Sequence, residues 1–389
     1  MRLKVIVCVL FVISLISMGQ AQEETLRIEA IASDLNNPRG VAVMPDGQLL
    51  VIEAGTGSDT PMEVIGSGRV LQLADNNNDG DFDDSDDQRL VRLDAQPSFN
   101  SLAVYRTGHD EPFGLSDVVM LDEDRIYFTL DHPFAEAGRN TGGEGYYGNV
   151  GIFILNTGRE GATRFVQRSA TLNSFAYDPQ RDVFFATESG FNRIMAVDMT
   201  GDAEVVVELP TLANDQQPVP AGIAVDPNTG DLLVALFSGF VYDYYDTQMG
   251  FMPGDAKVVR IDPDTGTISD EITGLTTAID VAVAEDGTLF VVELTTTWET
   301  NPMPFDFDLF DPEQPPDPGG YARYSGRVTM HTPDGEMRVL AQELDGPTNV
   351  TYHEGELYIS TGLGTPGRRV VSHLGISEIE GVIYRITGF

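Results

Sequence analysis

Residues 40–53 have the sequence Gly-VAVMPDGQLLVI-Glu, in which the turn Pro45-Asp46-Gly47 separates two short apolar runs. Two such runs around a turn that contains Asp and Gly are typical of a β-hairpin, because glycine tolerates the positive φ values of tight turns. The pattern recurs five more times, in Asp117–Leu130, Ser174–Glu188, Gly222–Leu236, Asp280–Glu293 and Asn349–Thr361. Six copies of a unit of roughly 40 residues predict a repeat fold.

Each hairpin is followed by further alternating segments that predict a third and a fourth strand. Fourth strands are expected at 89–93, 163–168, 204–209, 268–272 and 337–342, but the sixth unit ends at Phe389 without one. Leu26-RIEAIA, near the N-terminus, has the missing pattern. We therefore predict an all-β, six-bladed β-propeller of four-stranded blades, closed by pairing of the N-terminal strand with the last blade. An open solenoid is the alternative, and it would need capping repeats.

The first residues have the pattern of an export signal. Arg2 and Lys4 precede the apolar run 5–16, and Gly19-Gln20-Ala21 resembles a cleavage site. We expect residues 1–21 to be removed, leaving one domain, 22–389, in the periplasm or outside the cell. A membrane anchor is the alternative, but stable membrane insertion is not expected because later apolar runs are short. The single cysteine, Cys8, lies in the leader, so the mature chain has no disulfide.

The composition is strongly acidic. The chain has 61 Asp and Glu residues against 23 Lys and Arg residues, a formal net charge of −38. Such a surface repels the phosphates of nucleic acid and of anionic membranes, so no nucleic-acid partner is expected. Solubility alone accounts for the charge, and cation binding is a further interpretation.

Polar residues occur where the strands of a blade would border the top face, defined as the face at which the inner strands begin. Asp117, Ser174, Asp280 and Asn349 open inner strands, and Glu53, Glu188 and Glu293 end second strands. Carboxylate and amide oxygens around one axis are ligands suited to Ca²⁺ or Mg²⁺. The sequence thus indicates a funnel for a second divalent cation or a small ligand. A polar plug of hydrogen bonds and water is the alternative.

Long links between second and third strands should lie on the same face. They and a neighbouring loop contain candidate ligand contacts, which are His109, His132, Tyr147, Tyr244, Trp298 and Tyr324. Aromatic side chains in loops on a rigid scaffold suit a small molecule or a protein partner, although they also pack loops together. A histidine beside a metal is a candidate general base, and a solvated histidine is the alternative.

Residues 75–86, Asp-NNNDGDFDDS-Asp, form an insertion between the third and fourth strands of blade one. Their spacing matches a calcium loop, with candidate ligands Asp75, Asn77, Asp79, Asp81, Asp83 and Asp86. Gly80 at the sixth position permits the sharp turn that such a loop needs. We predict a structural Ca²⁺ that joins two strands on the face opposite the funnel. A solvated acidic loop is the alternative.

The block Leu35-NNPRGVAVMPDGQLLVIEAGTG-Ser58 resembles the ScyD/ScyE family of exported proteins, and so do residues 220–240 and 279–293. The resemblance spans most of the mature chain, and NHL-type propellers share much of it. It implies a six-bladed, TolB-like propeller without an established general activity.

The chain also resembles, more distantly, gluconolactonase-like propellers. That resemblance implies a divalent cation held at inner-strand starts, where Asp117, Asp280 and Asn349 occupy comparable positions. Arg39-Gly40 stands where the family has an opening glutamate, and Glu53 is a candidate substitute. Two functions follow: a non-catalytic module that binds a ligand or partner through its funnel, or a metal-dependent hydrolase of lactones or esters. No GxSxG, HExxH or P-loop motif points to other chemistry.

Overall fold

The computed structural model describes residues 25–58, 64–100, 110–131, 150–156, 161–167, 172–213, 216–238, 253–299 and 320–389. In these ranges the chain is nearly all β and forms six blades in a ring, a β-propeller, as the repeats predict. Within the same ranges, no helix has the length and apolar character needed to cross a membrane. The predicted leader, residues 1–21, lies outside the described residues.

Each blade is an antiparallel sheet built from one sequence repeat. The N-terminal strand is β1 (Arg27–Leu35). Blade one contains β2 (Pro38–Val43), β3 (Leu49–Glu53), β4 (Ile65–Ala74) and β5 (Gln88–Asn100), extended by β6 (Pro112–Phe113). Blade two contains β7 (Leu115–Asp122), β8 (Arg125–Leu130), β9 (Gly151–Leu155) and β10 (Ala162–Gln167). Blade three contains β11 (Leu172–Asp178), β12 (Val183–Glu188), β13 (Arg193–Asp198) and β14 (Ala203–Glu208).

The second half of the ring repeats this arrangement. Blade four contains β15 (Pro220–Val225), β16 (Leu232–Leu236), β17 (Ala256–Asp262) and β18 (Thr267–Leu275). Blade five contains β19 (Ala278–Val283) and β20 (Leu289–Glu293), the small hairpin β21 (Trp298–Glu299) and β22 (Gly320–Tyr321), and then β23 (Gly326–His331) and β24 (Met337–Leu344). Blade six contains β25 (Asn349–His353) and β26 (Glu356–Thr361), a second hairpin of β27 (Arg369–Ser372) and β28 (Gly375–Glu378), and β29 (Gly381–Thr387).

Strand β1 is the outermost strand of the sixth sheet, next to β29. The two strands are antiparallel, with Arg27 opposite Thr387 and Leu35 opposite Gly381. The first described strand and the last one therefore share a blade. The inner strands contact each other in the cyclic order β2, β7, β11, β15, β19, β25 and back to β2.

In the described residues, six apolar clusters lie one at each interface between neighbouring blades. A smaller seventh cluster joins Ala221, Phe237, Leu294 and Leu363. The cluster between blades six and one joins Ile31 and Ile383 to Leu49, Val51 and Leu71, all nearly inaccessible to solvent. Alternation along each strand turns apolar side chains to both faces of the sheet, so each blade packs against two others. The core thus surrounds the axis and leaves the ends of the inner strands to line a central channel.

Candidate functional site

A β-bulge near the start of the inner strand shapes the channel in five of the six blades. The register with the second strand shifts between Pro38 and Val41, Leu115 and Val118, Leu172 and Phe175, Pro220 and Ile223, and Ala278 and Asp280. A bulge adds an unpaired residue and changes the direction of a side chain. Two consecutive residues per blade can therefore border the channel.

These residues form two rings of six. The first ring contains Arg39, Ser116, Asn173, Ala221, Ile279 and Thr348, and the second ring contains Gly40, Asp117, Ser174, Gly222, Asp280 and Asn349. All of them except Gly40 line one cavity. Four of the predicted funnel residues, Asp117, Ser174, Asp280 and Asn349, are thus brought together.

The carboxylate of Asp117 is held by its own blade and by the next one. Its Oδ2 accepts hydrogen bonds from Ser174 Oγ at 2.6 Å and from the Phe175 backbone N–H at 3.1 Å. Its Oδ1 accepts one from the Val118 N–H at 2.8 Å. These three bonds fix the carboxylate against the channel wall.

Asp280 repeats this arrangement three blades further round the ring. Its Oδ2 accepts hydrogen bonds from Asn349 Nδ2 at 2.7 Å and from the Val350 N–H at 2.9 Å, and its Oδ1 accepts one from the Val281 N–H at 2.9 Å. The two carboxylates therefore belong to opposite blades, two and five, of the same channel.

The two glycines of the second ring make room for these carboxylates. A Cβ atom on Gly40 would lie 2.6 Å from Asp117 Oδ1, and one on Gly222 would lie 1.9 Å from Asp280 Oδ1. Such distances are too short for any side chain at positions 40 and 222 in this arrangement. The sequence Gly, Asp, polar residue thus occurs twice around the ring, in blades one to three and in blades four to six.

Burial dominates the electrostatics of the aspartate pair. It raises the pKa of Asp117 to about 6, against the opposing effect of the hydrogen bonds. Burial, and then the negative charge of Asp117, raise the pKa of Asp280 well above its ordinary value. In the described part of the chain, neither aspartate forms an ion pair, so the two buried carboxylates repel each other without a paired cationic side chain.

The three glutamates expected at the channel border lie elsewhere, which corrects the sequence-based prediction. Glu53, Glu188 and Glu293 are completely buried, and none of them lines the cavity. Each pairs with the arginine opposite it in the third strand: Glu53 with Arg69 at 2.7 Å, Glu188 with Arg193 at 2.5 Å, and Glu293 with Arg327. The cross-strand register decides this, because it places an arginine beside each strand end. Glu53 is therefore not a substitute channel ligand.

Arg39, which sequence reasoning treated only as a departure from a family pattern, is a cavity residue. Its side chain is 13% exposed, its Nη2 donates a hydrogen bond to the Pro112 carbonyl at 2.9 Å, and Glu111 Oε1 lies 3.9 Å away. Burial lowers the pKa of Arg39, while the charges of Glu111 and Asp131 act in the opposite direction. In the sequence, Arg39 directly precedes Gly40, the residue that opens the inner strand. This position indicates a cavity residue only once the β-bulge between Pro38 and Val41 is known.

The loop candidates are only partly described. His109, His132, Tyr147 and Tyr244 lie outside the described residues. Trp298 pairs with Tyr321 in the small hairpin of β21 and β22. Tyr324 is half-buried, has a left-handed φ of 56°, and does not line the cavity.

The acidic loop of blade one brings together a different set of carboxylates from the predicted one. Ligand atoms of Asp79, Asp81 and Asp84 lie within 4.8 Å of one another. Asp75 accepts hydrogen bonds from the N–H groups of Asn78 and Gly80, and Asn77 Nδ2 donates to Asp79 and Asp84. Phe82 is buried beside Ile31 and donates its N–H to the Ile31 carbonyl, which fixes the loop to β1.

Asp83 and Asp86 do not join this group. Asp83 accepts hydrogen bonds from Ser33 and pairs with Arg89 at 2.5 Å. The Asp86 carbonyl accepts a hydrogen bond from Asn76. The carboxylates of the loop therefore have two kinds of partner. Asp79, Asp81 and Asp84 lie together, whereas Asp83 forms an ion pair with Arg89 of the following strand.

Comparisons with known proteins agree with this architecture. The family model described as SMP-30/Gluconolactonase/LRE-like region matches residues 32–295. No curated protein matches the chain. A structural genomics protein of unknown function from Bacteroides thetaiotaomicron has 12% identity and a TM-score of 0.53, over 93% of this chain and 76% of that one.

Two further solved structures match the chain with lower scores. A gluconolactonase from Xanthomonas campestris has 12% identity and a TM-score of 0.48, over 93% of this chain and 89% of that one. Regucalcin, a calcium-binding protein from Agrobacterium tumefaciens, has 11% identity and a TM-score of 0.48, over 92% of each chain. At these identities the likeness concerns the fold alone. The family match covers more than half of the sequence, and the chain therefore belongs to the SMP-30/Gluconolactonase/LRE-like family.

Proposed function

We propose that the protein binds a small molecule in its central cavity, without chemical turnover, and that a divalent cation with Asp117 and Asp280 as ligands takes part in this binding. The observation that carries the proposal is the pair of buried carboxylates, 8% and 5% exposed, on opposite blades of one cavity. Uncompensated buried charge is costly, and either a proton or a cation relieves it.

The donor atoms suit such a cation. An ionised carboxylate can accept about four hydrogen bonds, and the channel wall uses three on each aspartate. One acceptor site remains on each carboxylate. The amide oxygen of Asn349, which accepts a hydrogen bond from Thr351 Oγ1 at 3.3 Å, is a further oxygen donor of the second ring. Oxygen donors of this kind suit Ca²⁺ or Mg²⁺. When bound, the cation would supply positive charge to an oxygen-bearing ligand.

Calorimetric titration of the chelator-treated protein with Ca²⁺ and with Mg²⁺ tests the cation site. The titrations are made in an Asp79→Asn/Asp81→Asn background, so that the acidic loop contributes no binding. We expect D117N and D280N to weaken binding by roughly tenfold or more, the effect of about 1.4 kcal/mol. Asp226→Asn is the matched control, because Asp226 is equally buried but pairs with Arg260 outside the cavity lining. Equal affinity in D280N and D226N would reject the site.

Hydrolysis of lactones or esters is the second candidate function. The family match and the pKa of Asp117, raised to about 6 by burial, favour it. A carboxyl group that titrates near neutral pH can exchange protons with a substrate. A panel of lactones and esters, assayed with and without added cation, tests this candidate. Turnover that disappears in Asp280→Ala would place hydrolysis ahead of non-catalytic binding.

The proposal also includes export in the manner of ScyD/ScyE proteins and a second Ca²⁺ in the acidic loop. Export is supported by the sequence of residues 1–21. N-terminal sequencing of protein recovered from the periplasm or the medium should begin near Gln22. An N-terminus at Met1 in that protein would reject cleavage.

A further inference from the structure

The N-terminal strand β1 has strand pairing on one edge only, where it meets β29. Its register with β29 shifts on both sides of Ala32, so Ile31 and Ser33 are not opposite any residue of β29. Residues at such a shift lose their ladder partner, and their backbone N–H and C=O groups need other partners. Blade one supplies these partners from outside blade six.

Three hydrogen bonds from blade one reach these two residues. The Phe82 N–H donates to the Ile31 carbonyl at 2.7 Å. Asp83 Oδ1 accepts a hydrogen bond from the Ser33 N–H at 3.1 Å, and Arg89 Nη2 donates to the Ser33 carbonyl at 2.7 Å. Because Asp83 and Arg89 also form an ion pair at 2.5 Å, one pair of charged side chains binds both backbone polar groups of Ser33.

The same part of blade one also contacts blade six through side chains. Phe82 is 5% exposed and packs in the cluster that contains Ile383 of β29. The guanidinium of Arg385, also on β29, lies against Gly80, where a Cβ atom would be 2.7 Å from its Nη2. Arg385 pairs with Glu29 of β1 at 3.0 Å. Blade one is therefore connected to both outer strands of blade six.

The corresponding turns of blades three and four are simpler. Each places one glycine near the outer strand of the preceding blade: a Cβ atom on Gly201 would lie 2.7 Å from the Phe165 carbonyl oxygen, and one on Gly266 would lie 3.5 Å from the Val206 carbonyl oxygen. In the described part of the chain, only blade one extends this turn into a loop that forms hydrogen bonds with the outer strand of its neighbour. The additional contacts thus occur at the blade whose outer strand comes from the other end of the chain.

We propose that residues 80–89 form a clasp on β1, and that the ring opens by detachment of β1 when this clasp is released. Detachment breaks the pairing of β1 with β29 on one edge and the clasp bonds to Ile31 and Ser33 on the other. Each clasp contact therefore raises the free energy of this local opening, while blades three and four stay folded. This inference goes beyond the proposed function and requires no bound cation.

Hydrogen exchange of the full chain, read by mass spectrometry in the presence of a chelator, tests the clasp. We expect Asp83→Ala to speed amide exchange by roughly tenfold in two segments, 27–35 and 381–387, because one opening exposes the amides of both strands. Arg89→Gln should act in the same direction. Asp122→Ala is the matched control and should leave both segments unchanged, since Asp122 forms an exposed ion pair with Arg125 in blade two.

The location of the faster exchange decides the outcome. Segment 183–198 of blade three reports on global unfolding and should exchange as in the wild type. Equal exchange of segment 27–35 in D83A and D122A would overturn the inference. Faster exchange confined to the loop, or spread equally over all blades, would also overturn it, because neither result is detachment of β1.

A second variant keeps the test valid if D83A does not fold. Phe82→Leu shortens the apolar side chain of the clasp and leaves the Asp83–Arg89 ion pair in place, and it should speed exchange in the same two segments. Because every measurement is made with a chelator, failure of the calcium sites proposed above would not change the expected result.

Unchanged exchange of β1 in F82L would mean that the clasp does not control detachment.

Discussion

At the scale of single residues, the two glycines of the second ring matter as much as the two aspartates. Gly40 and Gly222 lie beside the carboxylates of the next blade, where a Cβ atom would overlap them. From residue types alone, Gly40 and Gly222 are only positions without a side chain. In the structure, the missing side chain is what allows a buried carboxylate to lie along the channel wall.

Substitution of Gly222 by Ala should therefore disturb Asp280. The new Cβ would lie 1.9 Å from Asp280 Oδ1 and 2.5 Å from its Cα, so the backbone of blade five has to move. We expect a loss of about 1–3 kcal/mol in the free energy of unfolding, as for other overpacked sites, together with weaker cation binding. Chemical denaturation and calcium titration measure the two effects. Ala221→Gly, at the neighbouring cavity position, is the control and should keep its cation affinity; unchanged stability in G222A would contradict this account.

The raised pKa of Asp117 predicts how the stability of the metal-free protein depends on pH. The folded-state pKa is about 6, whereas that of an unfolded chain is about 3.9. The folded protein therefore retains a proton that the unfolded chain has lost, and the free energy of unfolding falls as pH rises through this window. The contribution amounts to about 3 kcal/mol at 1.36 kcal/mol per pKa unit.

Asp117→Asn should lack this contribution. Denaturant unfolding in the presence of a chelator, at about pH 4 and about pH 7, should show D117N gaining stability relative to the wild type at the higher pH. Asp110→Asn provides the contrast, because the charge of Arg368 and hydrogen bonds from Thr365 and Asn100 outweigh burial and lower the pKa of Asp110. Its effect should have the opposite sign and should develop below about pH 4, because the stability that Asp110 contributes is lost as pH falls from the unfolded-state pKa through the lowered pKa of the folded state. A constant difference between D117N and the wild type across this window would contradict the prediction.

The sequence predicted part of the cavity lining, and there is a physical reason why it did not predict the rest. Asp117, Ser174, Asp280 and Asn349 were found because a strand start has a fixed place in a propeller blade. The prediction that Glu53, Glu188 and Glu293 border the channel was wrong. The alternation of apolar and polar residues shows where a strand ends, but it does not show which residue of the neighbouring strand lies beside that end. That partner is an arginine in all three cases, and its identity depends on the register of the third strand.

At the scale of elements, the bulge and the acidic loop decide which side chains come together, and the repeat pattern does not predict this. The bulge brings two consecutive residues to the cavity, so Arg39 joins Asp117 there although a regular strand would turn adjacent side chains to opposite faces. Hairpin signals predicted the strand pairs of every blade, whereas the short hairpins of blades five and six were not predicted. Such short pieces lack the length over which alternation can be recognised.

The acidic loop offers a direct test of which aspartates bind calcium. Because Asp79, Asp81 and Asp84 lie together while Asp83 pairs with Arg89, we expect Asp81→Asn to abolish stabilisation by Ca²⁺ and Asp83→Asn to preserve it. Asp83→Asn should lower the melting temperature equally with and without calcium, since it removes an ion pair. Thermal unfolding with calcium or a chelator measures this, in a background with D280N to silence the cavity. Loss of calcium stabilisation in D83N but not in D81N would contradict this expectation and would support Asp83 as a ligand, as the sequence spacing predicts.

At the scale of the whole molecule, the ring depends on contacts between residues that are far apart in the sequence. The interface between blades six and one contains Ile31 from β1, Ile383 from β29, and residues of β3 and β4. The missing fourth strand of the last repeat was visible in the sequence because the other repeats defined what to expect. The half-turn relation between Asp117 and Asp280 follows from the ring, because the second and fifth of six blades lie opposite each other once the ring closes.

A disulfide between β1 and β29 tests whether the N-terminal strand closes the ring in solution. Arg27 and Thr387 face each other across these strands, and Cys8 is the only cysteine of the chain, so Arg27→Cys/Thr387→Cys in a Cys8→Ser background can form only this bond. Because the bond would close a loop of nearly the whole chain, we expect it to add about 5 kcal/mol to the free energy of unfolding, the upper end of the range for disulfides. Oxidation, followed by gel mobility and by denaturation with and without reductant, measures its formation and effect. Ser33→Cys/Thr387→Cys is the control, because Arg27 and Ser33 lie near opposite ends of strand β1. Equal cross-linking in the two variants would mean that β1 does not hold this register.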